Sequence, residues 1–209
     1  MAIRDILRGN IPDDELRAVA EEAAARHDEP FECVRPLDAD NWLSTPAVVN
    51  ERFFIKIISG QNTLVHGLLT TGRNIGVFAS GSEGFFQRFG TPYAMAEHEL
   101  ESTRKMQELG VNVPDPLEAF EHDGYGVVVL EFLPDYRTLD TLEPEAIEKA
   151  ADDLFDSLSR MHGAGLVHGD LSEYNVVVHD SELYVIDLGQ AVTVHHPNHE
   201  DFLERDCEN

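Results

Sequence analysis

The chain has 209 residues, 40 of them acidic and 15 basic, for a formal net charge of −25. Charge of that sign excludes recruitment to nucleic acid or anionic membrane by simple electrostatics. An apolar content of 42% excludes a disordered chain, and no apolar run approaches the ~18 residues of a transmembrane helix. Lysine is limited to Lys56, Lys105 and Lys149. An acidic, lysine-poor chain with ordinary apolar content suggests a salt-rich cytoplasm, as in a halophile, where the Debye length of ~3 Å at molar salt screens self-repulsion. Cys33 and Cys207 lack CxxC spacing and read as free thiols in a reducing compartment. Arg4, Asp5 and Arg8 interrupt the first apolar residues, so there is no signal-peptide pattern and a cytoplasmic location is expected.

In chain order, a first helix is expected after Pro12, with Asp13 and Asp14 at its start and Leu16, Val19, Ala20 and Ala23 on one face. Residues 31–58 are strand-like, and the strongest strand is Arg52 to Ile58, interrupted by Lys56. Residues 59–92 hold seven glycines and no periodic pattern, which predicts a long functional or flexible loop. A helix over about 93–109 stops at Gly110. Two prolines keep 111–116 extended. Strands at about 117–121 and 126–132 flank a hairpin turn at His122-Asp123-Gly124. Pro144 opens a helix carried by Ile147, Ala151, Leu154, Leu158 and Met161 and ended by Gly163 and Gly165. Two short strands, Val176–His179 and Leu183–Asp187, close on a turn at Asp180-Ser181. The expected fold class is α+β: a β-rich N-lobe (31–132) behind an N-terminal helical segment (1–30), then a short helical C-lobe (133–209).

The densest chemistry lies in Val167-His168-Gly169-Asp170-Leu171-Ser172-Glu173-Tyr174-Asn175, followed by Ile186-Asp187-Leu188-Gly189. Phosphoryl transfer needs one carboxylate to accept the proton of the attacking hydroxyl. It also needs an amide oxygen and a second carboxylate to hold magnesium. Asp170 with Asn175 five residues on fits the protein-kinase catalytic loop, and Asp-Leu-Gly stands where kinases carry Asp-Phe-Gly. Alone, His-Gly-Asp would be an ordinary polar turn. The hairpin carrying Asp187 twelve residues after Asn175, and the long helix before the loop, favour the kinase-like bilobal fold.

The run LVHGDLSEYNVVVHDSELYVIDLGQAV from Leu166 to Val192 closely resembles the catalytic and metal-binding segment of the RIO family of atypical serine/threonine protein kinases. The tail with His195-His196-Pro197, Asp201-Phe202-Leu203 and Asp206-Cys207 resembles its first subfamily. The resemblance covers about 50–209 and is most specific over 166–207. It implies a protein kinase or ATPase in which Asp170 is the catalytic base, and Asn175 and Asp187 bind Mg2+ (Mn2+ as an alternative). Asp187 is also the position where RIO proteins can accept phosphate. It assigns Ser172 and Glu173 to the family signature, and makes His195, His196 and His199 part of a family segment rather than a metal site. Lys56 is expected to contact the α- and β-phosphates of ATP and to pair with Glu99, rather than Glu97 or Glu101, on the following helix. A charged lysine in an apolar strand needs such a partner, the alternative being an edge strand facing solvent. The backbone of Glu131 and Leu133, in Leu130-Glu131-Phe132-Leu133, would meet adenine, although plain strand core explains that run equally well. The protein substrate is unassigned. The implied partner is the maturing small ribosomal subunit, with no direct sequence sign of nucleic-acid or membrane binding.

Two features depart from the family. Pro36 to Thr45 stands where RIO proteins carry a nucleotide loop of the Ser-x-Gly-Lys-Glu-Ala type, and it holds no glycine and two aspartates. The family also continues with further helices past the position of Asn209, which makes the C-lobe minimal or truncated. Two rivals follow. A small-molecule phosphotransferase of the aminoglycoside or choline type shares the His-Gly-Asp and Ile-Asp elements, but Ser172-Glu173-Tyr174 and the short C-lobe argue against it. A non-catalytic nucleotide-binding scaffold draws support from the glycine-free stretch and opposition from Lys56, Asp170, Asn175 and Asp187.

Overall fold

The computed structural model describes residues 11–37, 44–60, 90–196 and 198–208. Most of the glycine-rich stretch (61–89) and the middle of the glycine-free stretch (38–43) lie outside the described residues. The chain forms two compact units, with the divisions after Leu100, Asp115 and Phe132 among the described residues.

The first unit is built on a five-stranded antiparallel sheet. Its strands are β1 (Val34–Pro36), β2 (Thr45–Val49), β3 (Phe53–Ile58), β4 (Pro116–His122) and β5 (Tyr125–Glu131), in the order β1-β2-β3-β5-β4. Helix α1 (Asp13–Arg26) covers one face. Leu16, Val19, Ala20, Ala23 and Ala24 give it an apolar stripe at helical spacing, and that stripe packs on Ile55, Ile57, Val127 and Val129. Residues 92–100 of α2 (Pro92–Glu108) cover the other face, where Met95, Ala96 and Leu100 meet Ile58, Val128 and Leu130. Both faces of β3 and β5 are therefore buried, which is why these strands read as continuous apolar runs rather than alternating ones.

Polar contacts fix α1 to the β4–β5 hairpin. Arg26 Nη2 lies 2.5 Å from Glu118 Oε1 and His122 Nδ1 lies 2.5 Å from Glu22 Oε2. The Tyr125 hydroxyl donates to Glu15, and that bond, with burial and the carboxylate's charge, pushes the phenol up to about 12. The hairpin turns where the sequence predicts it, with Asp123 and Gly124 both at positive φ, the twist-compatible geometry for two-residue loops.

In the second unit α3 (Pro144–Gly163) packs Ala150 and Met161 against Leu166, Leu171, Val176, Val185 and Leu188. Strands β8 (Val176–His179) and β9 (Glu182–Val185) pair around the Asp180–Ser181 turn, with β6 (Arg137–Thr138) on the other edge of β8. Strand β7 (Leu166–Val167) pairs with β10 (Val192–Thr193). This nesting is what builds the site. One loop runs from β7 to β8 and another from β9 to β10, and since β7 pairs with β10 and β8 with β9, the loops 168–175 and 186–191 must lie side by side. The described chain ends on α4 (His199–Glu208), whose Phe202 is buried against Val167 and Val192. No helix of the described residues is long and apolar enough to cross a membrane.

Candidate active site

In the second unit, the backbone around Asp170 is held by side chains at every polar group that the hydrogen bonds reach. His168 is fully buried. Its ring lies with Nε2 3.0 Å from the Ile186 carbonyl, while the Asp170 N–H points at Nδ1 from 3.3 Å. A carbonyl can only accept, so these two bonds assign the Nε2–H tautomer. The Asp170 carbonyl accepts from Asn175 Nδ2 at 2.8 Å. Asp206 of α4, 3% exposed, accepts from Gly169 N–H at 2.9 Å and from Leu171 N–H at 3.2 Å. One carboxylate thus grips the amides on either side of Asp170.

Gly169 has φ +80°, and a Cβ there would stand 2.5 Å from the Gln190 carbonyl oxygen. Only glycine lets the β7–β8 loop lie against the β9–β10 loop at this point. Across that contact Asp187 takes a left-handed conformation, φ 58° and ψ 62°, and starts the 3₁₀ turn Leu188–Gln190. A non-glycine residue in that region carries strain of about 1–3 kcal/mol, a cost typical of functional loops. The Asn175 carbonyl accepts from Ile186 N–H at 3.0 Å, tying the residue beside Asp187 to the end of the Asp170 loop.

Asp170 is exposed as a residue, yet its carboxyl is raised above the ordinary carboxylate range. Desolvation by the packed loop is the largest cause and the charge of Asp187 the next, with Arg205 and His168 opposing. Two carboxylates set so that the charge of one raises the proton affinity of the other form a site that a divalent cation would relieve. Asn175 spends its amide N–H on Asp170, which leaves its Oδ1 as the acceptor for such a cation. An amide oxygen and a carboxylate are the hard oxygen donors magnesium takes when phosphates complete its shell. The residues present fit the ion.

The other sequence-selected residues fall mainly in the first unit. Lys56 is on the central strand β3, paired with Pro46 on one side and Val128 on the other. It is 8% exposed, so the edge-strand alternative does not describe it. Its Nζ lies 3.1 Å from Glu99 Oε1 and 3.0 Å from Oε2. Glu99 is 2% exposed, on the face of α2 that meets the sheet, while Glu97 and Glu101 are exposed. Glu131 ends β5 opposite Phe53. Leu133, buried, begins the second unit, so one division between units falls within the stretch Leu130 to Leu133.

Three residues that shape these local contacts escaped the sequence reading. Asp206 entered only as part of a tail motif. Its signal was its spacing of four from Phe202, which places a carboxylate on the buried face of α4. His168 was quoted without a role. Gly126 gave no signal at all, because its contact is with the distant Pro92: a Cβ at 126 would lie 2.0 Å from the Pro92 carbonyl oxygen.

Comparison with known proteins places these observations. The RIO domain family model matches residues 87–209. The RIO-type serine/threonine-protein kinase Rio1 of Haloferax volcanii is 45% identical over 120 residues, covering 56% of this chain and 40% of that protein. The serine/threonine-protein kinase RIO1 of Caenorhabditis elegans is 35% identical over 122 residues, covering 54% of this chain and 23% of that one. The chain therefore matches less than half the length of these curated relatives. Among solved structures, the Rio2 kinase–ADP/Mg2+–phosphoaspartate complex from Chaetomium thermophilum has a TM-score of 0.62 at 21% identity, covering 95% of this chain and 60% of that one. The α+β kinase-like fold expected from the sequence is the fold of that neighbour.

Proposed function

Because this chain belongs to the RIO domain family, we propose that it binds ATP with magnesium and transfers the γ-phosphate to a protein serine or threonine hydroxyl, or hydrolyses ATP through its own Asp187. The observation that carries this reading is the double loop of the second unit. Asp170 is held through its own backbone by His168 and Asn175 and through the flanking Gly169 and Leu171 amides by Asp206, and the charge of Asp187 acts on its carboxyl.

In the transfer branch Asp170 accepts the proton of the attacking hydroxyl, and its raised proton affinity makes it a stronger base than an ordinary carboxylate. Asn175 Oδ1 and the Asp187 carboxylate hold magnesium, or manganese in its place. The ion supplies charge neutralisation at the phosphate oxygens when bound. Lys56, held by Glu99, orients the α- and β-phosphates, and the Glu131 and Leu133 backbone receives the adenine. In the hydrolytic branch the Asp187 carboxylate attacks the γ-phosphorus and ADP leaves. Water then cleaves the aspartyl phosphate to return the carboxylate and inorganic phosphate. The phosphoaspartate named in the Chaetomium complex makes this branch chemically reasonable for the fold. A cytoplasmic location and a role with the maturing small ribosomal subunit are the cellular setting that the family resemblance supports.

A second reading, nucleotide binding without turnover, is favoured by one observation. The stretch Pro36 to Thr45 has no glycine to approach the phosphates closely and carries Asp38 and Asp40. Incubation with γ-labelled ATP and magnesium at high salt separates the readings. Label transfer or ATP loss in the wild type, abolished in both Asp170→Ala and Asp187→Ala, supports the enzyme. Retained ATP binding with no turnover sinks the enzyme in favour of the scaffold. Label on a small metabolite and on no protein would favour the small-molecule phosphotransferase.

A further inference from the structure

We infer that Gly126 is a positioning residue for the Lys56–Glu99 pair: the missing side chain at 126 sets how closely α2 lies on the sheet, and so whether Glu99 reaches Lys56. Gly126 is not at positive φ. Its backbone conformation is open to any residue, and space alone explains the glycine. That space is tight on one side only. A Cβ would stand 2.0 Å from the Pro92 carbonyl oxygen, 2.3 Å from its carbon and 2.6 Å from Tyr93 N. All three are backbone atoms of the first turn of α2, which no side-chain rotation can clear. Moving the 2.0 Å contact out to ordinary 3.4 Å separation requires a shift of about 1.4 Å.

The sheet register places this contact beside the pair it controls. Gly126 pairs with Ile58 and Val128 pairs with Lys56. With side chains alternating along a strand, Gly126, Val128, Lys56 and Ile58 share the face that meets α2. Glu99 lies seven residues, about 10 Å, along the helix from Pro92. The Lys56 ammonium is 3.0 Å from Glu99 Oε2. A rigid 1.4 Å lift of α2 would open that distance beyond ion-pair range, and misplacements of about 1 Å in phosphate-orienting groups cost ~100-fold in rate.

The test uses the full chain and its three lysines. Wild type, Gly126→Ala, Glu99→Gln and Gly124→Ala are acetylated with an N-hydroxysuccinimide acetate at fixed pH, and modification of Lys56 relative to Lys105 and Lys149 is read by mass spectrometry. Gly124 is the control. It has φ +86° and no atom within 4 Å of a Cβ, so Gly124→Ala strains the same hairpin without touching α2. The expected result is a rise in Lys56 labelling of about fivefold, equivalent to ~1 kcal/mol of lost pairing, in Gly126→Ala and Glu99→Gln but not in Gly124→Ala. Equal labelling of Lys56 in wild type and Gly126→Ala overturns the inference, as does equal labelling in the Gly126→Ala and Gly124→Ala chains. Glu99→Asp carries the test should Gly126→Ala fail to fold. It withdraws the carboxylate by about one C–C bond, ~1.5 Å, with the sheet untouched, and wild-type labelling there overturns the inference equally. A second readout rests on the proposed ATP chemistry: Gly126→Ala is expected to lower kcat/KM for ATP by about 10–100-fold. An inactive wild type with the predicted labelling pattern would sink the enzyme reading and leave the positioning role standing.

Discussion

At the scale of single residues, the Lys56–Glu99 pair and Asp170 carry different energetic risks. Lys56 and Glu99 are both buried, so removing one charge strands the other in a desolvated site. Lys56→Met is expected to destabilise the fold by about 3–5 kcal/mol, whereas Lys56→Met/Glu99→Leu should recover most of that loss and remain inactive. Paired denaturant unfolding curves check this. Asp170 behaves in the opposite way. Its folded carboxyl is raised above the unfolded value, chiefly by desolvation and then by Asp187. Its contribution to stability is therefore present at low pH and lost as pH rises through the folded value. At neutral pH Asp170→Asn should raise the unfolding midpoint while lowering turnover by about 10²–10⁴-fold. In the wild type the acidic limb of the rate profile should fall above the ordinary carboxylate range, because the base works only when deprotonated. A limb at or below that range would contradict the reading of Asp170.

At the scale of elements, α4 holds the Asp170 loop through one carboxylate. Asp206→Ala leaves the Gly169 and Leu171 amides without their acceptor. The expected cost is about 2–3 kcal/mol in stability and a loss of turnover out of proportion to it, since the backbone on both sides of Asp170 is released. Asp206→Asn, which keeps one acceptor oxygen, should be intermediate in both measurements. The sequence made the pieces of this arrangement legible. The β8–β9 hairpin, α3 and the run from His168 to Asn175 are all local patterns. What it did not contain was the pairing of β7 with β10, two-residue strands too short for any periodicity to mark. That pairing presses the two loops together and gives Gly169 and Asp187 their conformations. Likewise, residues 1–30 read as a separate helical segment, while in the structure α1 packs its stripe into the first unit's core.

For the whole molecule, a formal charge of −25 works against compactness at low ionic strength. Between about 0.1 M and 1 M salt the Debye length falls from ~10 Å to ~3 Å, and the repulsion between surface carboxylates is screened while the buried Lys56–Glu99 pair is screened far less. The unfolding temperature should rise steeply over that range, and circular dichroism in graded KCl measures it. A flat response would remove the halophilic reading of the composition, which the 45% identity to a Haloferax protein otherwise accompanies.

By itself the sequence determined the candidate residues and the local elements. Asp170, Asn175 and Asp187 sit at fixed spacings within one short segment, and helix and hairpin signals are properties of neighbouring residues. It also made a carboxylate partner for Lys56 the expectation, with a solvent-facing edge strand as the alternative that burial of Lys56 on the central strand removed. Tertiary structure decided what depends on residues far apart in the chain. It set Asp206 against the amides around Asp170 across 35 residues or more, and Gly126 against Pro92 so that α2 can bring Glu99 to Lys56. Contacts of that kind follow from how elements pack, and packing leaves no periodic trace in the sequence on which it acts.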